Sequence, residues 1–190
     1  MQTVPLQEAR AALVRGRVLA GVADLLADGK DLTYANVAAA SAVAERTVYR
    51  HFPTRQDLMT AVVEWVNQRA GTQRATTGEE AAEMVRHQFT TFDEVAPVVR
   101  ALLLAPEGLA ARLHDNDGRR AAALAVVEHD APGLDATMRR RAAAAVQMLT
   151  SAAAWQTLRD YWEMDGAEAA ETVAVALSMR LEGARREAKR

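Results

Sequence analysis

Within residues 45–58, ERTVYRHFPTRQDL, the cations Arg46, Arg50, His51 and Arg55 gather around Tyr49 and Phe52, and no acidic residue falls between Arg46 and Arg55. Guanidinium and hydroxyl groups at this density suit phosphate oxygens, and a few such side chains near a helix start can reach base edges in a DNA major groove. Thr33 and Thr54 stand at expected helix starts, where hydroxyl and backbone N–H groups also meet phosphate. The candidate DNA-contacting set is therefore Thr33, Tyr34, Glu45, Arg46, Thr47, Tyr49, Arg50, His51, Thr54 and Arg55. Two of these carry two readings each. Glu45 either accepts from a cytosine N4 amine or favours the helix N-terminus electrostatically. His51, next to Phe52, divides between core and phosphate contact.

Other chemistries find little footing. His51, His87, His114 and His129 show no i,i+4 pairing that would hold a metal, and there is no cysteine to supply a thiol nucleophile, a zinc site or a disulfide. Glu128, His129 and Asp130 are adjacent, so on a helix they point in different directions. No glycine-rich phosphate loop follows a strand, because no strand is expected. Catalytic residues, metal ligands and cofactors are expected to be absent, and the chain is not expected to be an enzyme. The MRRRAAAA stretch at 138–145 reads as exposed helix arginines ahead of an anion patch.

The elements that must position the cation cluster follow from composition and periodicity. Of the 190 residues, 50% are hydrophobic and 25% charged, alanine dominates the apolar class, and apolar alternation at period two is missing. Alanine favours helix, so the fold class expected is all-α. A net charge of −2 argues against coating nucleic acid indiscriminately but leaves room for a local basic surface. No apolar run is long enough to cross a bilayer and no leader opens the chain, so no membrane partner and a cytoplasmic location are expected.

A first helix is predicted over about 6–28, ended by Gly29 in a left-handed cap. Thr33 caps a short helix bearing Val37, a tight turn follows, and a second short helix runs from Glu45 to Phe52. In it Val48 and Phe52, four apart, share the buried face, while Arg46, Tyr49 and Arg50 lie on the others. Pro53 stops that helix, and Thr54 with Asp57 forms a capping box for the next. GTQRATTGEE, residues 71–80, reads as a linker. Helices are then predicted over 79–94, 97–104, 106–130 with a break at HDNDG, one long helix over 135–164, and a last one over 167–186 capped by Asp165 and Glu168.

Two short helices joined by a tight turn form a helix-turn-helix arrangement. The stretch LTYANVAAASAVAERTVYRHFPTRQDLMTAV, residues 32–62, resembles the DNA-binding signature of TetR-family transcriptional regulators. Thr33, Val37, Ala38, Val43, Thr47, Val48, Tyr49, His51, Phe52 and Leu58 match that pattern position by position, and VLAGVADLLADG is similar to the family's first helix. The likeness spans about residues 13–66. Ala42 stands where the family usually has glycine, Ala44 where it often has serine, and Arg55 where it has lysine. If Ala42 needs a left-handed backbone, alanine costs on the order of 1 kcal/mol there.

The resemblance implies a helix-turn-helix domain over 1–70 and an effector-binding and dimerisation domain over 71–190, acting as a homodimeric repressor of a palindromic double-stranded operator. In the second domain, Ala145, Met148, Leu149, Ala152 and Trp155, with Val173, Ala176, Leu177, Arg180 and Leu181, form stripes suited to a four-helix bundle between subunits. The competing reading buries both stripes within one subunit. Met84, Phe89, Phe92, Met148, Trp155 and Trp162 are candidates to line an effector pocket, plain core being the alternative for each. The scarcity of inward charge points to a neutral or apolar small-molecule effector. Two other functions stay open: an all-α binding module with a vestigial helix-turn-helix, and an all-α enzyme.

Overall fold

A computed structural model describes residues 6–71 and 74–189, and every regular element among them is helical. Thr72 and Gln73 of the expected linker lie outside the described residues. The helices are α1 (Leu6–Ala27), α2 (Tyr34–Ser41), α3 (Glu45–His51), α4 (Arg55–Arg69), α5 (Gly78–Glu94), α6 (Ala96–Leu104), α7 (Pro106–Leu113), α8 (Asn116–Asp130), α9 (Ala136–Leu149), α10 (Ala152–Trp162) and α11 (Gly166–Glu187). None of them is long and apolar enough to cross a membrane.

The chain divides into two compact units. One comprises Met1–Trp65 with Val95–Arg112, the other Val66–Glu94 with Leu113–Arg190. This division differs from the expected single boundary at residue 70. Helices α6 and α7 belong with the N-terminal unit, because α6 packs its buried Val98, Val99 and Leu102 in that unit, in contact with α1.

In the first unit, α1 packs on α2, and α2 on α3, around Val18, Val22, Val37, Val48 and Phe52. Helix ends follow local chemistry. Lys30 N–H bonds Leu25 C=O at 2.9 Å and Gly29 N–H bonds Leu26 C=O at 3.2 Å, with Gly29 at φ +65°. This is the double bond of a Schellman cap. Thr33 Oγ1 accepts from Asn36 N–H at 3.1 Å and starts α2. The end of α2 repeats the glycine geometry without glycine. Ala42 lies at φ 52°, ψ 37°, and Val43 N–H bonds Ala38 C=O at 3.2 Å. The left-handed turn required between α2 and α3 is therefore built on an alanine.

In the second unit, α5 lies along α11 and α8 along α9. Asp93 Oδ2 accepts from Gly166 N–H at 2.7 Å, holding the first turn of α11 against the end of α5. Approach is so close that a Cβ on Gly166 would overlap the Phe89 carbonyl. Asp130 likewise accepts from Gly78 N–H at 2.5 Å, at the start of α5, and is ion-paired with Arg185. Arg86 bridges α5 to Glu171 of α11 at 2.6 Å and holds that carboxyl below its ordinary pKa.

Two expectations for this unit are corrected. The long helix over 135–164 is broken after Leu149. Thr150 Oγ1 bonds back to Val146 O at 3.0 Å, and Ser151 Oγ accepts from Ala154 N–H at 3.2 Å to cap a new helix. The stripe Val173, Leu177 and Leu181 is buried within the unit's own core and is not an outward seam. The outward row of α11 carries Val175 and Met179 instead.

Replacing Ala42 with glycine removes a left-handed penalty of roughly 1–2 kcal/mol and adds about 0.4–1 kcal/mol of unfolded-chain entropy. Ala42→Gly is expected to stabilise the protein by about 0.5–1 kcal/mol, read as a higher urea midpoint at unchanged slope.

Candidate nucleic-acid interface

Helix α3 has seven residues, too few to persist alone in water. Its direction comes from Val48 and Phe52, both 0% exposed, which seat one face in the core of the first unit as the spacing predicts. The Arg15 guanidinium lies 4.9 Å from the centre of the Phe52 ring and 3.5 Å from Glu64. Phe52 also receives the Tyr34 hydroxyl, which donates to its carbonyl at 2.8 Å. The Tyr34 ring stacks on Tyr49, with centroids 3.8 Å apart and planes 9° from parallel. One bond and one stack thus tie α2 to both the middle and the end of α3.

At the start of α3, Ala44 provides no side-chain cap, and the backbone closes the first turn by itself through Thr47 N–H to Ala44 O at 2.7 Å. Glu45 sits in this first turn and Arg50 and His51 in the last, the order that the helix dipole favours. Glu45, Arg46, Tyr49 and Arg50 are exposed, while Thr47 and His51 are half-buried. Among the described residues neither Arg46 nor Arg50 takes part in an ion pair. The two arginines are thus open to an anion. His51 lines a surface hollow of about 310 Å³ with Arg15, Phe52, Pro53, Asp57, Thr60 and Ala61.

Thr54, Tyr34 and Arg55 are engaged in contacts within the protein. Thr54 and Asp57 form the expected capping box: Asp57 N–H bonds Thr54 Oγ1 at 3.1 Å, and Asp57 Oδ2 accepts both the Thr54 N–H at 3.0 Å and its hydroxyl at 2.7 Å. Both Thr54 donors are therefore taken, which corrects the expectation that they face phosphate. The Tyr34 hydroxyl proton is likewise committed to Phe52. Arg55 pairs with Glu107 of α7 at 3.0 Å and donates to Leu32 O at 3.3 Å. Thr33 keeps its hydroxyl hydrogen while its oxygen caps α2.

The expected effector lining does not come together as one site. Phe89, Phe92 and Trp155 are buried in the second unit, with Phe92 6.1 Å from Phe89 and edge-on to Trp155 at 5.7 Å. The Trp155 indole donates to Asp93 at 2.8 Å, and Arg159 pairs with the same carboxylate at 2.6 Å. Met84 is half-buried. Met148 and Trp162, by contrast, are 64% and 69% exposed and line no interior. Met148 lies in the last turn of α9 and Trp162 ends α10.

No family model, curated protein or solved structure matches the chain. Its chemistry rests on its own residues. Among the described residues no group of three metal-ligating side chains forms. Two features were not predicted from the sequence. Gln88 and Thr91 are buried polar residues on α5, and Gln88 Oε1 has no hydrogen-bond partner among the described residues. Their position between Val85 and Phe92 on the apolar side of α5 is the signal that exposes them. Glu107 had no local signal, since its partner Arg55 is distant in sequence.

Burial first, then the charges of Tyr49 and Asp57, raise the Tyr34 pKa above its ordinary value of 10.0. The folded state thus holds the phenol proton more tightly than the unfolded chain. This contribution to stability is complete below pH 10 and is lost as pH rises through the higher folded-state pKa. Denaturation curves of the wild type should lose stability above about pH 10 more steeply than those of Tyr34→Phe.

Proposed function

We propose that the protein is a sequence-specific DNA-binding transcriptional regulator of the TetR type, acting as a homodimer, with α2 and α3 as its helix-turn-helix and α3 as the recognition helix. The observation that carries this reading is the division of α3. Val48 and Phe52 anchor it, while Arg46, Tyr49 and Arg50 stand exposed with no ion pair to either arginine among the described residues. A short helix with cations and a hydroxyl on its outer face and a tight turn before it is suited to the major groove. Thr33 and half-buried His51 add phosphate contacts at the edges of the same surface. Repression of transcription follows the family that the sequence resembles.

Dimerisation is supported by apolar side chains left on the surface of the second unit: Met148, Tyr161, Trp162, Val175 and Met179. Val175 and Met179 are four apart on α11, so they form one row, and a two-fold partner presenting the same row would cover it. Response to a small molecule is supported by the buried Gln88 carbonyl oxygen, an acceptor that suits an effector bearing an N–H or O–H. One reading of another kind has an observation in its favour. The strained Ala42 turn and the uncapped α3 fit a binding module whose α2 and α3 no longer engage DNA.

Selection from a random duplex library separates the two. The native protein should enrich a palindrome, with binding that weakens as salt rises, and the Tyr49→Phe, Arg50→Ala double variant should lose it. Enrichment of no sequence by the native protein would defeat the regulator reading. For the dimer, Val175→Glu with Met179→Glu places a charge in the proposed seam. Light scattering should show the monomer mass for this variant against twice that mass for the wild type.

A further inference from the structure

Arg55 opens α4 beside the recognition helix, and an acid from α7 holds it. We propose that Glu107 withholds Arg55 from DNA phosphate, so that the α7 carboxylate sets the affinity for the operator. This rests on the DNA-binding reading above and adds a regulating residue to it.

The geometry supports competition between two anions for one guanidinium. Glu107 Oε1 lies 3.0 Å from Arg55 Nε, and Arg55 Nη1 is turned to Leu32 O at 3.3 Å. The Arg55 side chain is still 51% exposed, so a phosphate can reach it once the carboxylate lets go. Glu107 itself is not free to drift. Gln56 Nε2 donates to the Glu107 backbone carbonyl at 3.3 Å, fixing the first turn of α7 beside the first turn of α4. The next residue, Gly108, presses on the end of α6 so closely that a Cβ there would overlap the Leu102 carbonyl. Arg112 bonds the same carbonyl. The carboxylate is therefore delivered to Arg55 by packed backbone.

Exposed ion pairs are weak, worth at most about a fivefold change in an equilibrium constant, which bounds how far freeing Arg55 can tighten binding. The carboxylate must be displaced for Arg55 to bind, and removing it should tighten binding and add one phosphate contact. Whatever draws α7 away from α4 would have the same effect.

The test is a double-mutant cycle on the duplex enriched by selection. Wild type, Glu107→Gln, Arg55→Ala and the double variant are compared for affinity across a salt series, with thermal unfolding as a check on folding. Glu107→Gln is expected to bind about fivefold more tightly, with a slope of log K against log salt steeper by about 0.9. In the Arg55→Ala background the same change should have no effect. Wild-type affinity and slope in Glu107→Gln, or equal tightening in both backgrounds, would overturn the proposal while leaving DNA binding intact. Failure of the wild type to bind any duplex would remove both. If Glu107→Gln unfolds early, Glu107→Ala takes its place, with the same tightening expected and the same results counting against it.

Discussion

The first unit depends on the seating of Phe52. Its ring is fully buried beneath the Arg15 guanidinium, its amide closes the last turn of α3 on Val48 O at 2.9 Å, and its carbonyl takes the Tyr34 hydroxyl. A seven-residue helix has almost no cooperativity of its own, so these contacts decide which way it faces. Truncating a buried phenylalanine costs about 3–5 kcal/mol, a large part of the roughly 5–15 kcal/mol that holds a typical domain together. The outward aim of Arg46, Tyr49 and Arg50 is the other side of the same fact.

Around this anchor the local chemistry is uneven. The turn into α3 uses alanine in a glycine conformation, and α3 starts without a side-chain cap, so packing overrides two local preferences in succession. The start of α4 is the opposite case, with Thr54 and Asp57 satisfying each other. Each donor used in such a cap is a donor removed from the surface. Hence the polar residues near α3 fall into two groups: Thr54, Tyr34 and Arg55 hold the scaffold, while Arg46, Tyr49 and Arg50 are presented by it.

The second unit is organised by carboxylates that reach the N-terminal ends of other helices. Asp93 and Asp130 accept from the first amides of α11 and α5, and each also meets an arginine, Arg159 or Arg185. A negative charge at a helix N-terminus is favourable, and the added cation offsets the cost of removing the carboxylate from water. These contacts set the alignment of α5 with α11. That alignment turns Val173, Leu177 and Leu181 inward and leaves Val175 and Met179 at the surface.

The helical class and most helix ends were legible in the sequence, because their causes act within about four residues. Gly29 after α1, Thr33 before α2, Pro53 after α3 and the pairing of Thr54 with Asp57 each satisfy nearby backbone groups that no distant residue needs to reach. The buried pair Val48 and Phe52 was legible for the same reason, through helical spacing. The break at 150–151 was signalled only by Thr150 and Ser151 inside an alanine-rich run, where helix propensity on both sides masks two hydroxyls. Other features had no local cause. Only the tertiary structure decided that α6 and α7 join the first unit, that Met148 and Trp162 lie on the surface, that Tyr34 bonds Phe52, and that Arg55 faces Glu107. Those outcomes depend on which helix faces meet across long sequence separations, where hydrophobic pattern says that a face is buried but not against what.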